Sequence, residues 1–427
     1  MIENEKPYIA QSLWTATANL APACPALTGA QETEVAVIGG GFTGLSAALH
    51  LAEAGVAVTL LEAEMPGWGA SGRNGGQVNP GLKEDPDAID AKFGADLGGR
   101  MVRLSGGAGD FVFDLIRRLG IDCAAQQPGW IQPVHNDEAL ATVSRRVSQW
   151  QRRGAPLRLL SKRETADLVG TDAYLGGMID PRGGNLHPLN YALGLAWAAK
   201  KAGAQLHGHS PALRMQQVDA THVIHTPNGR LSAKTVLVCT NGYSGPFAPR
   251  IARSLVPIRS VQVATAPLSD NIRKSILPGG HSASDSRRLL LYFRLDPQGR
   301  FVMGGRGDYT EGGTEKQFSL LREASRRLFP QLSEAEWTFK WGGFVAMTAD
   351  HYPHLMRIGD GVWGAAGYNG RGVAMASVLG KLLADLAQGV PEAGVDFPVS
   401  PVREIPFHFL RKPVVAATVA WSRWRDG

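Results

Sequence analysis

The pattern of hydrophobic and polar residues near the start of the chain predicts a strand, a helix and a second strand in close succession. The apolar run at residues 35–38 is typical of a buried parallel strand, and residues 43–54 carry apolar side chains at helical intervals. After Gly55, a second apolar run at residues 56–61 predicts another buried strand. We therefore expect a β-α-β unit at this point.

Glycines at the predicted junction of strand and helix indicate nucleotide binding. Gly39, Gly41 and Gly44 have the G-x-G-x-x-G spacing, which permits a tight turn, close approach of the backbone to a pyrophosphate and close helix packing. The helix N-terminus offers N–H groups and a partial positive charge to the phosphates. Glu62, at the end of the second strand, is placed to accept hydrogen bonds from ribose hydroxyls, which disfavours NADP. These features predict a site for NAD or FAD without choosing between them.

Later segments favour a longer cofactor. GASGRNGGQ, at residues 69–77, offers backbone N–H groups that suit a pyrophosphate or a flavin edge, although alone it would also fit an ordinary surface loop. The glycines of GYNGRGV bring the backbone close to a ligand and precede a predicted helix at residues 373–386. The remaining segments are NLHPLN (185–190) with an apolar helix at 191–201, VLVCTNGY (236–243), WGGFVAMTADHYP (341–353) and GYNGRGV itself (367–373).

In this order, the segments resemble the D-amino-acid-oxidase-like family of flavoproteins, in the branch of bacterial gamma-glutamylputrescine oxidases and L-pipecolate oxidases. The resemblance covers roughly residues 8–425. It implies an FAD-dependent enzyme that oxidises the C–N bond of a small amine or amino acid to an imine, followed by hydrolysis or release. It also implies an antiparallel sheet laid over the flavin.

The predicted fold class is α/β, with a Rossmann-like FAD-binding domain and a discontinuous second domain built on a mostly antiparallel sheet (α+β). Residues 259–266, 289–295 and 300–305 read as strands, and the turn at residues 296–299 predicts a hairpin between the last two. Apolar periodicity predicts helices at 98–119 and 138–153. The predicted ranges are 8–82, 161–243 and 342–395 for the FAD-binding domain, 83–160 and 244–341 for the substrate domain, and 396–427 for a basic C-terminal tail.

The cofactor contacts that the resemblance implies come from the glycine-rich segments and the turns around them. The helix that follows GYNGRG would stabilise negative charge on the reduced flavin. The contact residues are Gly39, Gly41, Phe42, Thr43, Gly44, Glu62, Ala63, Gly69, Ala70, Ser71, Arg73, Asn74, Gly75, Gly76, Gln77, Thr240, Asn241, Gly242, Gly367, Tyr368, Asn369, Gly370, Arg371, Gly372 and Val373.

Noncovalent FAD is expected because one feature of the wider family is missing. Monomeric sarcosine oxidases attach FAD through a cysteine in the region that corresponds to residues 345–348, where this chain reads Val-Ala-Met-Thr. The lysine with which those oxidases activate oxygen cannot be placed either. Both oxygen and a membrane quinone therefore stay open as electron acceptors.

Candidate substrate contacts are Tyr292, Arg294 and Arg306, on the strands that the resemblance places over the flavin. An arginine can pair with a carboxylate through two hydrogen bonds, so we expect a carboxylated amine such as a gamma-glutamyl polyamine or L-pipecolate. No catalytic acid–base pair is assigned, because the flavin performs the redox step. Two alternatives from other classes are a nicotinamide dehydrogenase, which would leave the later segments without a role, and a flavin-binding partner subunit without a substrate of its own.

Composition and charge indicate the class of protein, its location and its partners. The 427 residues, of which 44% are hydrophobic, suit a globular enzyme of two domains. We expect a cytoplasmic protein, because the three cysteines have no spacing that suggests disulfides and the N-terminus is polar. The eleven histidines show no metal-ligating pattern, so no metal site is expected. The net charge of +6 comes from basic clusters without a nucleic-acid motif, so we expect a solvated basic surface and no nucleic-acid partner.

The C-terminal tail has an apolar stretch at residues 414–421 between basic residues. It is far shorter than the roughly 20 apolar residues that span a bilayer. We expect a helix that docks on the protein's own core. Peripheral contact with an anionic membrane, on its inner face, is the alternative. The flanking basic residues are Arg411, Lys412, Arg423 and Arg425.

Overall fold

The computed structural model describes residues 12–307 and 311–426, without the side chains of 311–313, 420 and 422–426. Residues 8–11 and 308–310 of the predicted domains, and residue 427 of the predicted tail, lie outside this description. The described strands form a nine-stranded sheet, an eight-stranded sheet and a two-stranded sheet.

Helices and strands alternate over the first part of the chain and then give way to longer strands. The helices are α1 (Leu13–Ala16), α2 (Phe42–Glu53), α3 (Pro86–Phe93), α4 (Ala95–Gly106), α5 (Ala108–Leu119), α6 (Asp137–Gln151), α7 (Lys162–Val169), α8 (Pro188–Lys201), α9 (Pro249–Arg253), α10 (Asp270–Ser275), α11 (Glu311–Leu328), α12 (Gly372–Ala387) and α13 (Arg411–Asp426). The strands are β1 (Gly29–Ile38), β2 (Val58–Leu61), β3 (Gln77–Val78), β4 (Trp130–Val134), β5 (Arg158–Leu160), β6 (Gly176–Asp180), β7 (Gly184–Asn185), β8 (Gln205–His207), β9 (Arg214–Val218), β10 (Thr221–His225), β11 (Gly229–Val238), β12 (Val256–Thr265), β13 (Ser282–Ser284), β14 (Tyr292–Leu295), β15 (Phe301–Arg306), β16 (Trp337–Met347), β17 (His354–Gly359), β18 (Val362–Ala366) and β19 (Val399–Pro401).

The nine-stranded sheet has the order β19-β17-β18-β11-β1-β2-β8, with β10 and β9 continuing from β11. The run from β18 through β11, β1 and β2 to β8 is parallel. The predicted β-α-β unit is confirmed as β1, α2 and β2. Since parallel strands end at the same edge, residues that follow these strands lie close together.

Helices α2 and α12 pack closely against each other, and at Gly380 there is no room for a side chain. A Cβ at Gly380 would lie 2.4 Å from the carbonyl oxygen of Thr43, so glycine is required at this contact. The Ser46 hydroxyl donates a hydrogen bond to the Ser377 carbonyl at 2.7 Å. This close packing holds the two helix N-termini at one edge of the sheet.

The eight-stranded sheet has the order β16-β12-β15-β14-β13-β4-β6-β5, and its pairs are antiparallel except for β13 with β4. The prediction of a mostly antiparallel second sheet is confirmed, and so is the hairpin of β14 and β15. The Phe329 ring packs at 5.2 Å from the rings of both Phe293 and Phe301, which anchors this hairpin to the helix side of the sheet.

Two strands do not follow the predicted domain ranges. Strand β6 pairs with β4 and β5 in the eight-stranded sheet, although residues 161–243 were assigned to the first domain. Strand β16 crosses the predicted boundary at residue 342. The polypeptide passes from one sheet to the other several times, and the composition of the sequence does not show where it does so. The division into two domains as a whole stays a proposal.

The C-terminal helix leaves most of its side chains exposed, although the Arg288 guanidinium lies 5.5 Å from the ring centroid of Trp421. Only Arg411, Val415 and Val419 are half-buried among its described side chains. Val414 and Trp421 are 58% and 52% exposed. Within the residues described above, no helix combines the length and the apolar character needed to cross a membrane.

Candidate active site

Four neighbouring parallel strands end in residues that were predicted to bind the cofactor. Gly39 follows β1, Glu62 follows β2, Thr240 lies just beyond β11, and Gly367 follows β18. In open α/β sheets this edge is where ligands bind. Segments that lie far apart in the sequence are therefore gathered at one place.

The turn from β1 into α2 is built for close backbone contacts. Gly39 has a φ of +108°, and a Cβ there would lie 2.8 Å from the Cys239 carbonyl oxygen. A Cβ at Gly44 would lie 1.9 Å from the Gly39 carbonyl oxygen. A side chain at Gly44 would push α2 away from β1, and one at Gly39 would push the turn away from the segment that follows β11.

Glu62 lies directly against this turn. Its Oε2 accepts a hydrogen bond from the Gly40 N–H at 2.6 Å, and its Oε1 accepts one from the Glu64 N–H at 3.0 Å. Burial raises the pKa of Glu62, and these two hydrogen bonds oppose the rise. A carboxylate held here suits the acceptor role that ribose hydroxyls require.

The loop at residues 69–77 reaches the start of α2. The Ser71 hydroxyl accepts a hydrogen bond from the Phe42 N–H at 2.9 Å. Asn74 stabilises the loop, because its side chain donates to the Ser71 carbonyl and accepts from the Gly76 N–H at 2.8 Å. The loop is therefore held over the helix N-terminus that was predicted to face the phosphates.

The GYNGRGV segment joins the same site from the opposite side. The Tyr368 hydroxyl lies 2.6 Å from Thr43 Oγ1, and the Gly367 N–H donates to Asn241 Oδ1 at 2.9 Å. Asn241 and Asn369 both have positive φ, +45° and +51°, which asparagine tolerates better than most residues. The N-terminus of α12 follows directly and has no side-chain cap.

This donor set fits FAD. The glycine turn leaves the backbone open to a pyrophosphate, Glu62 supplies an acceptor for a ribose, and the uncapped α12 N-terminus can face a negatively charged ring edge. The segments that would hold the cofactor are 39–44, 62–63, 69–77, 240–242 and 367–373.

Two predicted contacts in the 69–77 loop use their side chains elsewhere. Arg73 Nε donates to the Trp68 carbonyl at 2.9 Å, and its guanidinium lies 4.3 Å from the Trp68 ring centroid. The side chain of Gln77 donates to the Ala283 carbonyl and accepts from the Ser284 hydroxyl at 2.6 Å. These side chains fasten the loop to its neighbours, and their contact with the cofactor stays a prediction.

Arg294 is placed in the interior and not on an open surface. It is 1% exposed, and its Nη1 donates to the carbonyls of Gly76 at 3.1 Å and Leu186 at 2.7 Å. Burial lowers the pKa of Arg294 to about 10. The geometry favours a positioning role, in which Arg294 ties two loops together, over direct contact with substrate.

The other two substrate candidates occupy neighbouring strands. The Tyr292 hydroxyl lies 2.9 Å from Ser260 Oγ, and burial raises the pKa of Tyr292 to about 12. Its ring packs on Gly304, where a Cβ would lie 2.0 Å away. Arg306 is half-buried at the end of β15, in register with Ser260. Their contact with a substrate stays a prediction.

Sequence reasoning missed Gln262, which lies in the apolar strand β12. Its Nε2 donates to the Arg73 carbonyl at 2.6 Å, while its Oε1 is buried without a partner among the described residues. Trp341 Nε1 donates to the same carbonyl at 3.0 Å. A polar residue within an apolar strand was the available signal.

His187, in the NLHPLN segment, is a neutral helix cap. Its Nδ1 accepts from the Asn190 N–H at 3.1 Å, and its Nε2 lies 3.0 Å from Thr17 Oγ1. Since the Thr17 hydroxyl donates to the Leu13 carbonyl, Nε2 is the protonated nitrogen. Burial, with repulsion from Arg294, lowers the pKa of His187 to about 3.

Comparison with known proteins agrees with this site. The model of the DAO family, described as FAD dependent oxidoreductase, matches residues 34–386. The chain belongs to this family. It is 33% identical to gamma-glutamylputrescine oxidoreductase of Escherichia coli (strain K12) over 418 residues, which cover 97% of this chain and 98% of that protein.

Solved structures show the same fold. Glycine oxidase from Geobacillus kaustophilus aligns with a TM-score of 0.72 and 23% identity, covering 88% of this chain and all (100%) of that one. L-proline dehydrogenase from P. horikoshii aligns with a TM-score of 0.68 and 21% identity, covering 84% and 94%. The predicted family, fold class and FAD cofactor are thereby confirmed, and the DAO-family chain is an FAD-dependent oxidoreductase.

Replacing Glu62 with Gln should weaken FAD binding, because the ribose would lose a charged acceptor. The expected loss is about 1.5–3 kcal/mol, or roughly 10- to 150-fold in Kd. FAD released by acid precipitation and flavin-fluorescence titration of the apoprotein would measure it. Glu34→Gln is the matched control, since Glu34 is exposed on the same β-α-β unit. Equal FAD affinity in both variants would contradict the role of Glu62.

His187 should make the protein less stable in acid. Between pH 6.5 and about 3 the unfolded chain binds a proton at this histidine and the folded chain does not, so the free energy of unfolding falls as pH falls through this window. The slope contributed is at most about 1.4 kcal/mol per pH unit. His187→Asn keeps a capping side chain and should flatten the dependence of Tm on pH. His209→Asn, at an exposed position, should leave it unchanged.

Proposed function

We propose that this enzyme oxidises the C–N bond of a small amine or amino acid to an imine, which is then hydrolysed or released. The observation that carries the proposal is the meeting of four cofactor segments at one sheet edge, next to a loop that strands β12 and β16 of the antiparallel sheet contact. The relative that is 33% identical over nearly the whole chain is named for gamma-glutamylputrescine, an amine with a carboxylate. A gamma-glutamyl polyamine and L-pipecolate are the substrates we favour.

Bound FAD supplies a two-electron acceptor for the C–H bond beside nitrogen. The chain's own task is to hold a neutral amine in one orientation and to keep water away. The second sheet serves this task through Gln262 and Trp341, which bind the Arg73 carbonyl from two neighbouring strands. Tyr292 packs on Gly75 of the same loop, where a Cβ would lie 2.8 Å from its ring. These contacts keep the cofactor loop at a constant distance from the sheet.

We expect the FAD to be noncovalent. Cys24, Cys123 and Cys239 are all buried and free. Burial raises the pKa of each thiol, that of Cys123 to about 12, which disfavours the thiolate that a thioether link requires. Only Cys239 lies at the cofactor edge of the sheet, directly after β11.

Anaerobic mixing with amines tests the proposed reaction. Gamma-glutamylputrescine or L-pipecolate should bleach the flavin absorbance of the holoenzyme, whereas the corresponding alcohols should not. Reoxidation by oxygen and by a soluble quinone analogue, followed separately, would identify the electron acceptor. If no amine or amino acid in a broad panel bleaches the flavin, the proposed reaction class is wrong and a partner subunit without its own substrate is favoured.

The C-terminal surface supports a further proposal about partners. Phe407 and Phe409 are each 73% exposed, and Val414 is 58% exposed. Arg403, on the same tail, is exposed too. Aromatic side chains among basic ones suit the interface of an anionic bilayer, where a quinone acceptor would also reside. We therefore propose peripheral membrane contact with a quinone as electron acceptor; the cytoplasmic location stays a prediction.

Vesicle sedimentation tests this contact. The holoenzyme should pellet with vesicles that contain phosphatidylglycerol and not with neutral phosphatidylcholine vesicles, and high salt should release it. The double variant F407N/F409S should lose binding; asparagine suits the positive φ of Phe407, +53°. The control L20S/L213S removes two exposed leucines elsewhere. Equal pelleting of both variants would refute the proposal.

A further inference from the structure

The C-terminal tail is fastened firmly where it begins. Strand β19 pairs with β17 in the nine-stranded sheet. Glu404 forms an ion pair with Arg253 at 2.5 Å, and the Ile405 N–H donates a hydrogen bond to the Arg253 carbonyl at 2.9 Å. Residues 399–405 are therefore a fixed anchor for the chain that follows them.

The backbone is strained directly after this anchor. Phe407 has a φ of +53°, in the left-handed region that a bulky side chain rarely adopts. Such a conformation persists only where the surrounding structure holds it. The Phe407 side chain is 73% exposed, so the contacts that hold the backbone must come from the residues beyond it. A change at this one residue would redirect helix α13.

Helix α13 rests on the protein through a narrow stripe. Arg411, Val415 and Val419 recur every four residues, so they lie on one face of the helix, and each is half-buried. The other described side chains of α13 are exposed, whereas α12 buries most of its side chains. Movement of α13 away from the protein would therefore expose little apolar surface to water.

Two contacts place α13 across one end of the eight-stranded sheet. His408 Nε2 donates a hydrogen bond at 2.7 Å to the carbonyl of Leu255, which directly precedes β12. Near the other end of the helix, the Trp421 ring centroid lies 5.5 Å from the guanidinium of Arg288, in the loop that leads into β14. Since β15 lies between β12 and β14 in the sheet, the helix passes from one side of β15 to the other.

This end of the sheet is the one that meets the cofactor loop. Because the three strands are antiparallel, β12 and β14 begin here and β15 ends here, at Arg306. Tyr292, the first residue of β14, packs on Gly75 of the loop at residues 69–77, where a Cβ would lie 2.8 Å from its ring. The Tyr292 hydroxyl lies 2.9 Å from Ser260 Oγ on β12. Helix α13 thus lies beyond the strand ends that reach the cofactor segments.

We propose that α13 is a hinged cover on the path from solvent to the bound flavin. In the closed position, His408 and Trp421 hold the helix across the strand ends; in the open position, the helix turns about Phe407 and uncovers Tyr292 and Arg306. Opening breaks one hydrogen bond and one cation–π contact, and elements held so lightly open most readily. The proposal requires bound FAD but no particular substrate, so it does not rest on the amine reaction.

Removal of the cover is the first test. The probe is dithionite, which reduces the flavin whatever the natural substrate is, and stopped flow measures the second-order rate constant for bleaching of the holoenzyme. If the cover is open about 10% of the time or less, a chain that ends at Leu410 should react about tenfold faster or more than the full chain. Trp421→Ala, which removes one of the two contacts, should raise the rate constant in the same direction. Trp197→Ala is the matched control, since Trp197 is an exposed tryptophan on α8, and it should leave the rate constant unchanged.

Fixing the cover in place is the second test. The double variant R288C/W421C is joined by a flexible bismaleimide, and the matched control is the same variant with both thiols capped by N-ethylmaleimide. The linked protein should react more slowly with dithionite than the capped protein, because the link prevents opening. The native cysteines Cys24, Cys123 and Cys239 are all buried, so they do not compete for the reagent. Mass spectrometry verifies the link, and FAD content is measured for every variant.

Each outcome decides the proposal. A fast truncated chain together with a slow linked protein supports the cover. Equal rate constants for the full chain, the truncated chain and Trp421→Ala overturn it, and so do equal rate constants for the linked and capped proteins. If the truncated chain does not retain FAD, the linked and capped proteins decide alone. Because the probe needs neither an amine nor a vesicle, a cover found in an enzyme that no amine reduces refutes the proposed reaction alone.

Discussion

The packing of α2 against β1 and α12 is the constraint on which the rest of this structure depends. A Cβ at Gly44 would collide with the Gly39 carbonyl, and one at Gly380 would collide with that of Thr43. Because each collision would join a Cβ to a backbone carbonyl, no change of side-chain rotamer can relieve it. The two helix N-termini are thus held at the carboxyl edge of the parallel strands, where a long anionic cofactor needs them.

The second sheet is joined to this edge mainly through main-chain carbonyls. The Arg73 carbonyl accepts from Gln262 and Trp341, and the Gly76 carbonyl accepts from Arg294. Carbonyl acceptors fix the position of the loop without using its N–H groups. Those of Gly72, Arg73, Asn74 and Gly76 bond within the loop itself. A change in the eight-stranded sheet would therefore alter the cofactor loop first and the parallel sheet little.

The sequence predicted those parts of the fold that residues close together in the chain determine. The apolar run before Gly39 and the acidic Glu62 after the second strand identify a β-α-β unit, because nucleotide binding requires residues of these types at these places. The pairing of strand β6 could not be predicted, because partners far apart in sequence leave no periodic signal. Arg294 was predicted as a substrate contact, and alternation along β14 cannot reveal that loops cover its outer face. The exposure of the tail helix could not be predicted either, because an apolar stretch does not reveal how much of it meets a matching surface.

Arg294 and Arg371 show that an unsatisfied buried donor alone does not separate a structural arginine from a ligand-binding one. Burial lowers the pKa of both to about 10, and both guanidinium groups lie over a tryptophan ring. Arg294 gives its Nη1 to two carbonyls and so stabilises loops in any state of the enzyme. Arg371 gives its Nη1 to no described residue, and it lies in the segment 367–373 that would hold the cofactor. Arg294 Nε is also buried without a described partner, so the position of Arg371 among the cofactor segments, and not its unsatisfied donor, sets it apart.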